Sequence, residues 1–226
     1  MKKQSTKPDQ LRDFSRRLEK AYAGAVYDVL RALGLPNQTL PHDILPLHKD
    51  QVLAGPVFTV EGRPVAGLDP HESLLLWTAM LSKATPGHVV VCQPHDSTMA
   101  HMGELSSETF HLRGIRGYIV DGGCRDTDFI EKLGFKVFFR YTTPVDVVGR
   151  WRAEKFNKPI VIGGVKIHAG DFVFGDRDGV LIIPKAKVGD VVTNVEKVIN
   201  TESKVRRAIV KEGMDPQEAY LKYGKF

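Results

Sequence analysis

The sequence predicts an α/β protein built on parallel strands. Three short apolar runs, HVVVC at 88–92, GYIVDGG at 117–123 and KVFFR at 136–140, alternate with helical stretches at 102–114 and 127–134. Runs of this kind fit strands buried on both faces, and a strand–helix–strand rhythm implies parallel pairing through right-handed crossovers. The 226 residues, 42% hydrophobic and 26% charged, supply the apolar surface that such a core needs, which excludes a disordered chain.

Taken in order, Leu11, Phe14, Leu18 and Tyr22 recur at helical spacing, and a second helix over 21–34 carries Ala25, Val29, Ala32 and Leu33 as far as Gly34, with Pro36 just beyond. VLAGPVFTVEG at 52–62 alternates and is rich in β-branched residues, while Pro56 predicts an edge, a bulge or two short pieces rather than a long central strand. Asp69-Pro70-His71-Glu72 offers an N-cap, a proline at the first helical position and a glutamate at the third, and the LLLW run after it reads as core. The helices over 102–114 and 127–134 close on Gly114 and Gly134. Short strands joined by glycine turns fill 159–183, followed by a long helix over 185–211 and a small one over 215–223. With no repeat, low-complexity tract or linker, the reading is a single α/β domain over 1–226, with helical arms at 1–35 and 185–226.

The net charge of +5 is concentrated at the chain ends. Residues 1–20 carry seven Lys/Arg against three Asp/Glu, residues 185–226 nine against six, and the middle sixteen against eighteen. A phosphate-reading surface would concentrate charge on the folded body, so this distribution argues against a nucleic-acid partner. No stretch approaches the ~18 apolar residues of a membrane helix, and the basic start lacks an apolar region behind it, which points to a cytoplasmic chain. Cys92 and Cys124 stand apart and are expected as reduced thiols.

Walker, GxGxxG, HExxH, GxSxG and paired CxxC motifs are all missing, which removes most nucleotide, zinc-hydrolase and serine-hydrolase chemistries. What remains is Val120-Asp121-Gly122-Gly123-Cys124-Arg125-Asp126, directly after the second buried strand, where open α/β sheets collect their ligands. The paired glycines are expected to turn the backbone sharply, so that Arg125 and Asp126 both reach one cleft. A guanidinium grips a carboxylate and a lone carboxylate with waters holds Mg²⁺, a pairing suited to a small 2-oxo acid. The alternative is structural: Asp126 precedes a helix and fits its N-cap, with Arg125 paired to a surface carboxylate. A second group, Gly103-Glu104-Leu105-Ser106, opens a helix after another strand, and its free N–H groups make an anion site. His95, His101 and His111 lack a tight ligand spacing, and Asp176-Arg177-Asp178-Gly179 reads as a turn.

Gly103-Glu104-Leu105, followed after twenty intervening residues from Glu104 by Arg125-Asp126, resembles the acidic-x20-Arg-Asp signature of the 4-hydroxy-4-methyl-2-oxoglutarate aldolase and ribonuclease E regulator superfamily. The resemblance extends over AVYDVLRALGL (25–35), LAGPVFTV (53–60), PGHVVV (86–91), GDRDGVLIIP (175–184) and EGMDPQEAYLKYGKF (212–226). It implies a layered α-β-β-α sandwich of the swivelling-domain kind. By the same resemblance Asp126 is the protein ligand of Mg²⁺ or Mn²⁺, and Arg125 grips the pyruvyl unit. The loop at Gly103, with the N–H groups of Leu105 and Ser106, binds oxygens of that unit. Glu104 takes a place that is often aspartate in the aldolases and is expected to steady a water there; Ser106 stands where an aliphatic residue is common. Glu202 takes the place of an acidic residue that relatives send into a neighbouring subunit's site. The implied function is a class II type aldolase that releases pyruvate from 4-hydroxy-2-oxo acids and decarboxylates oxaloacetate, assembled as a homotrimer or homohexamer. The alternative within the superfamily is a non-catalytic regulator that binds a ribonuclease E-type enzyme.

Overall fold

A computed structural model describes residues 8–226, so the lysines at positions 2, 3 and 7 lie outside the described residues. Helices α1 (Pro8–Leu18) and α2 (Ala23–Ala32) lead to β1 (Leu45–Pro46), β2 (Leu53–Pro64) and α3 (Pro70–Lys83). The alternating part follows as β3 (Val89–Gln93), α4 (Glu104–Leu112), β4 (Gly117–Val120), β5 (Gly123–Cys124), α5 (Thr127–Leu133), β6 (Val137–Phe139) and β7 (Tyr141–Thr142). Strands β8 (Trp151–Phe156), β9 (Ile160–Ile162), β10 (Val165–Ile167), β11 (Phe172–Asp176) and β12 (Gly179–Ile183) come next, then α6 (Val188–Val210) and α7 (Pro216–Tyr223).

Strands β2, β3, β4 and β6 pair in parallel, as the rhythm predicts, with Val57 opposite Val89, Val89 opposite Gly117 and Tyr118 opposite Val137. The main sheet runs β1-β6-β4-β3-β2-β11-β12, with β8 also on β2. Thr39 bridges Leu181, and the Leu40 N–H donates to the Val180 carbonyl at 2.9 Å, so the segment that leads from there into β1 binds both edge strands and nearly closes the sheet.

Strand β2 corrects the reading of Pro56. It is one twelve-residue strand at the centre of the sheet, antiparallel to β11 from Leu53 to Pro56 and parallel to β3 from Val57. The Val57 N–H donates to Asp171 on the β11 side, so the Pro56 nitrogen faces the opposite edge, where pairing with β3 has not begun. The ladder loses no donor there.

The expected layers follow from period two in the strands. Val89, Val91, Ile119, Phe138, Val173 and Ile182 face inward between the two halves of the sheet. Val90, Cys92, Tyr118, Val120 and Val137 face outward against α3, α4 and α5. Phe172, Phe174, Leu181 and Ile183 form the opposite outer face and are covered by α1, α2 and α6 through Phe14, Leu18, Leu30 and Val191. Each of these buried phenylalanines contributes about 1.5–3 kcal/mol relative to exposure. The order is therefore helix, sheet, sheet, helix, and parallel strands buried on both faces explain the unbroken apolar runs.

The cap predicted at Asp69 forms, and Asp215, which the sequence analysis did not single out, caps its helix in the same way. The Asp69 carboxylate accepts from the Glu72 N–H at 2.9 Å, and that of Asp215 accepts from Gln217 and Glu218 at 2.8 and 3.1 Å. Asp176 acts at a distance: it accepts from the Ala23 N–H at 2.8 Å and the Asp178 N–H at 2.9 Å, joining the start of α2 to its own turn.

Candidate active site

The carboxyl ends of β3 and β4 carry two loops that are stitched together. The His101 N–H donates to the Gly123 carbonyl at 2.8 Å, the Arg125 N–H donates to Met102 at 2.9 Å, and Ala100 bridges Gly123. This stitching brings residues 103–106 beside residues 125–126.

The chain bends at Asp121 and Gly122, as expected, but the glycines are needed there for close packing rather than for the bend. Neither Gly122 nor Gly123 has positive φ. A Cβ on Gly122 would meet His101 Nδ1 at 2.9 Å, and one on Gly123 would meet the Met99 carbonyl at 2.6 Å. They permit close packing of one loop on the other. The unusual backbone belongs to Asp126 itself, at φ +55°, a region that aspartate enters more readily than most residues.

That conformation takes the Asp126 side chain away from the cap of its own helix. The carboxylate makes no cap hydrogen bond to α5. It turns instead to α4, where Oδ2 accepts from the Glu104 N–H at 3.1 Å and lies 3.5 Å from Arg125 Nε. Gly103 leaves room for this: a Cβ there would stand 2.7 Å from Asp126 Oδ2 and 3.2 Å from Arg125 Nε. The first-turn N–H groups of Leu105 and Ser106 have no intrahelical acceptor, and the helix dipole adds partial positive charge beside them.

These groups line a cleft of about 520 Å³. Gly103, Glu104, Leu105, Ser106, Arg125 and Asp126 all border it, so the structure assembles six of the residues singled out in the sequence. Glu202 is elsewhere in this chain, on α6, 3.5 Å from Lys225, which also pairs with Asp28.

Sequence reasoning missed Asp146 and misread α3. Asp146 borders the cleft with Oδ2 3.7 Å from Arg125 Nη1, so the guanidinium lies between two carboxylates. It lies in the loop beyond β6 and β7, at the same carboxyl end of the parallel strands, where the rule that singled out residues 125–126 would have found it. The LLLW run is only partly core: Trp77 is buried, but Leu74 and Leu75 are exposed, and Leu74 and Trp77 border the cleft. Trp77 Nε1 donates to Ser106 Oγ at 2.9 Å, which fixes the serine that departs from the usual aliphatic residue. Trp151 is buried, donates to the Pro94 carbonyl at 2.9 Å and packs edge-on against Trp77.

The histidines play no part in the cleft wall. His95 Nε2 lies 2.9 Å from Glu61, whose carboxyl is held below its usual pKa by Lys155 and then by His95. His101 is fully buried, 3.7 Å from Asp96, and burial pulls its pKa down to about 4. Cys92 and Cys124 are free and buried, and burial pushes both thiols up to about 12. Among the described residues no group of three or more His, Cys, Asp or Glu is placed to hold a metal. An ion in the cleft would therefore have one or two carboxylates, drawn from Asp126, Glu104 and Asp146, and otherwise water, a donor set that suits Mg²⁺.

An α-β-β-α protein with a guanidinium–carboxylate pair beside a helix start now meets its relatives. Residues 23–182 match the family described as RraA-like, Aldolase/RraA, and the chain belongs to that family. Over 189 residues it is 33% identical to a Halalkalibacterium halodurans protein named "Putative 4-hydroxy-4-methyl-2-oxoglutarate aldolase", a match covering 83% of this chain and 85% of the relative. A solved structure described as "novel cellulases from microbes associated with the gut ecosystem" is 32% identical, with a TM-score of 0.83 over 89% of this chain and 90% of that one. RraAS2 of Streptomyces coelicolor, described as an unusual member of the RNase ES inhibitor RraA family, superposes with a TM-score of 0.75 at 24% identity over 86% of this chain and 96% of that one. At that identity the likeness shows the fold alone.

Proposed function

We propose that this chain is a divalent-metal-dependent aldolase of the class II type, which cleaves 4-hydroxy-2-oxo acids to pyruvate and also decarboxylates oxaloacetate. The observation that carries the reading is the Asp126 carboxylate, turned from its own helix into a cleft that it shares with Arg125 and the start of α4. The names of the aldolase relatives support the same direction.

Asp126 would hold the ion, and Mg²⁺ or Mn²⁺, when bound, supplies Lewis-acid polarisation of the 2-oxo group. Arg125 binds the substrate carboxylate through paired N–H donors, and the N–H groups of Leu105 and Ser106 donate to oxygens of the same unit. The negative charge that builds up as the C–C bond breaks is stabilised by Arg125 and by the α4 dipole, both fixed before reaction. Glu104, on the cleft wall, orients the water that takes the proton of the C4 hydroxyl. Decarboxylation asks less of the site, since no hydroxyl proton has to leave. Assembly as a homotrimer or homohexamer belongs to the same reading, with Glu202 reaching a neighbouring site; exposed Leu75, Leu112 and Phe129 are apolar surface available for it.

The test is pyruvate release from oxaloacetate and from 4-hydroxy-2-oxo acids, with Mg²⁺ or Mn²⁺ and after chelation. Metal-dependent release that disappears in Asp126→Asn, with the fold retained, is the expected result. Failure to turn over any 2-oxo acid, together with co-purification of a ribonuclease E-type enzyme, would favour the regulator. That alternative has the RraA fold likeness behind it, but masking a partner does not call for a paired guanidinium and carboxylate inside a cleft.

A further inference from the structure

The cleft wall is made of two unlike sets of residues. Arg125, Asp126, Asp146 and the start of α4 supply its charge. Leu74, Trp77 and Leu81 of α3, with Val147 and Val148, supply an apolar surface.

Polar side chains are present there too: those of Trp77, Thr78 and Thr109 have already given their protons away, while Ser106 Oγ accepts from Trp77 and keeps its own. The Trp77 indole N–H goes to Ser106 Oγ at 2.9 Å. The Thr78 hydroxyl donates to the Leu74 carbonyl at 2.9 Å, and that of Thr109 donates to the Leu105 carbonyl at 2.7 Å. An indole or a hydroxyl has one proton to donate, so none of the three can serve a ligand oxygen without breaking its present bond. Among the described residues bordering the cleft, Arg125 is the one cation, against Glu104, Asp126 and Asp146. Once Arg125 holds the pyruvyl carboxylate and Asp126 the ion, a second carboxylate carried beyond C4 meets apolar carbon, engaged donors and the Glu104 and Asp146 carboxylates, with the Ser106 hydroxyl as the one free side-chain donor among the described residues that border the cleft. Leaving it there unpaired is costly, whereas a hydrocarbon group gains by leaving water.

Resting on the aldolase reading above, we propose that the substrates are 4-hydroxy-2-oxo acids whose C4 substituent is an uncharged hydrocarbon chain, released as an apolar aldehyde. In the cleavage the C3–C4 bond breaks, the C4 hydroxyl loses its proton and becomes the aldehyde carbonyl, the bonding pair passes to C3 as the enolate of pyruvate, and a proton returned to C3 completes pyruvate. The dicarboxylate 4-hydroxy-4-methyl-2-oxoglutarate, after which the relatives are named, is then a poor substrate for this chain.

Trp77 gives a readout of binding that does not depend on turnover, since it stands in the wall and the chain has two tryptophans. With Mg²⁺ present, fluorescence titration of the full chain with 2-oxobutanoate, 2-oxohexanoate and 2-oxooctanoate is expected to show Kd falling about fourfold per methylene over the first few carbons. The dicarboxylates 2-oxoglutarate and 2-oxoadipate are expected to bind at least tenfold more weakly than monoacids of the same length. Leu74→Arg, at a half-exposed position that tolerates charge, is expected to reverse that order. Pyruvate release from 4-hydroxy-2-oxo acids with methyl to butyl tails is expected to rise in kcat/KM in the same order as binding. 2-Oxoglutarate, 2-oxoadipate or 4-hydroxy-4-methyl-2-oxoglutarate binding or turning over as well as the alkyl acids would overturn the proposal and leave the aldolase reading standing; oxaloacetate, whose second carboxylate leaves as CO2, is outside this comparison. Ordered binding with no pyruvate from any acid would overturn the aldolase reading and uphold the ligand class. If no 2-oxo acid binds at all, both fall.

Discussion

The starts of α3 and α5 carry the same residue and put it to opposite uses. At α3, Asp69 has extended backbone and its carboxylate accepts from the Glu72 N–H of its own helix at 2.9 Å. At α5, Asp126 has φ +55°, leaves its own helix uncapped and sends its carboxylate to the Glu104 N–H of α4. One aspartate stabilises the fold. The other gives up that local stabilisation and holds a strained conformation, the sort of cost a fold retains where a side chain is needed for something else.

The widest separation between the two starts is in activity. Asp126→Asn keeps the side-chain size and the tolerance for positive φ while removing the charge, and is expected to lower pyruvate release by on the order of a thousandfold, about 4 kcal/mol. Its melting temperature is expected to stay within a degree or two of the parent; a collapse of the fold with full specific activity in the surviving protein would restore the capping interpretation.

Next in size is a pH effect in the stitched loops that lead to α4 and α5. His101 lies against Gly122, and its pKa of about 4 in the folded chain is below the ordinary 6.5. The unfolded chain therefore binds the proton more readily. The stability tied to this residue is complete above pH 6.5 and is lost as pH falls toward 4, by about 3 kcal/mol at most. His101→Leu is expected to flatten that part of the stability–pH curve in urea titrations; an unchanged slope would mean that the ring is hydrated and free to take its proton.

A smaller effect is expected at Gly103. Its backbone is extended and accepts any residue, so a methyl group there acts by pushing on the Asp126 carboxylate 2.7 Å away and on the Arg125 guanidinium 3.2 Å away. Gly103→Ala is expected to cost about tenfold in kcat/KM, about 1.4 kcal/mol, with little change in melting temperature. Equal activity would show that the carboxylate has freedom to move. The smallest effect belongs to α3: Asp69→Ala is expected to lose about 1 kcal/mol of stability, read by chemical denaturation, while kcat/KM stays at the parental value.

The contrast also explains what the sequence could and could not disclose. Parallel strands, helix ends and the Asp69 cap were legible because each rests on neighbours in the chain: apolar runs, terminal glycines, and a proline with a glutamate at set offsets. Pro56 was misread because its missing N–H matters only on the side facing a partner, and that side is fixed by where β3 begins. The close approach at Gly122 and Gly123 depends on His101 and Met99, some twenty residues away, and local pattern offers no sign of it. Arg125, Asp126 and the Gly103–Ser106 segment could be placed at strand ends from the sequence. Whether Asp126 capped its helix or entered the cleft was decided by one backbone angle, which nothing in the local sequence specifies.

The account depends most on Asp126 being the residue that holds a divalent ion in the cleft. Titrating Mn²⁺ into the full chain and into Asp126→Asn, with the free ion followed by electron paramagnetic resonance, tests this without recourse to turnover. One Mn²⁺ per chain in the parent and none at the same concentrations in the variant is the predicted result. Equal binding by the two proteins would contradict it.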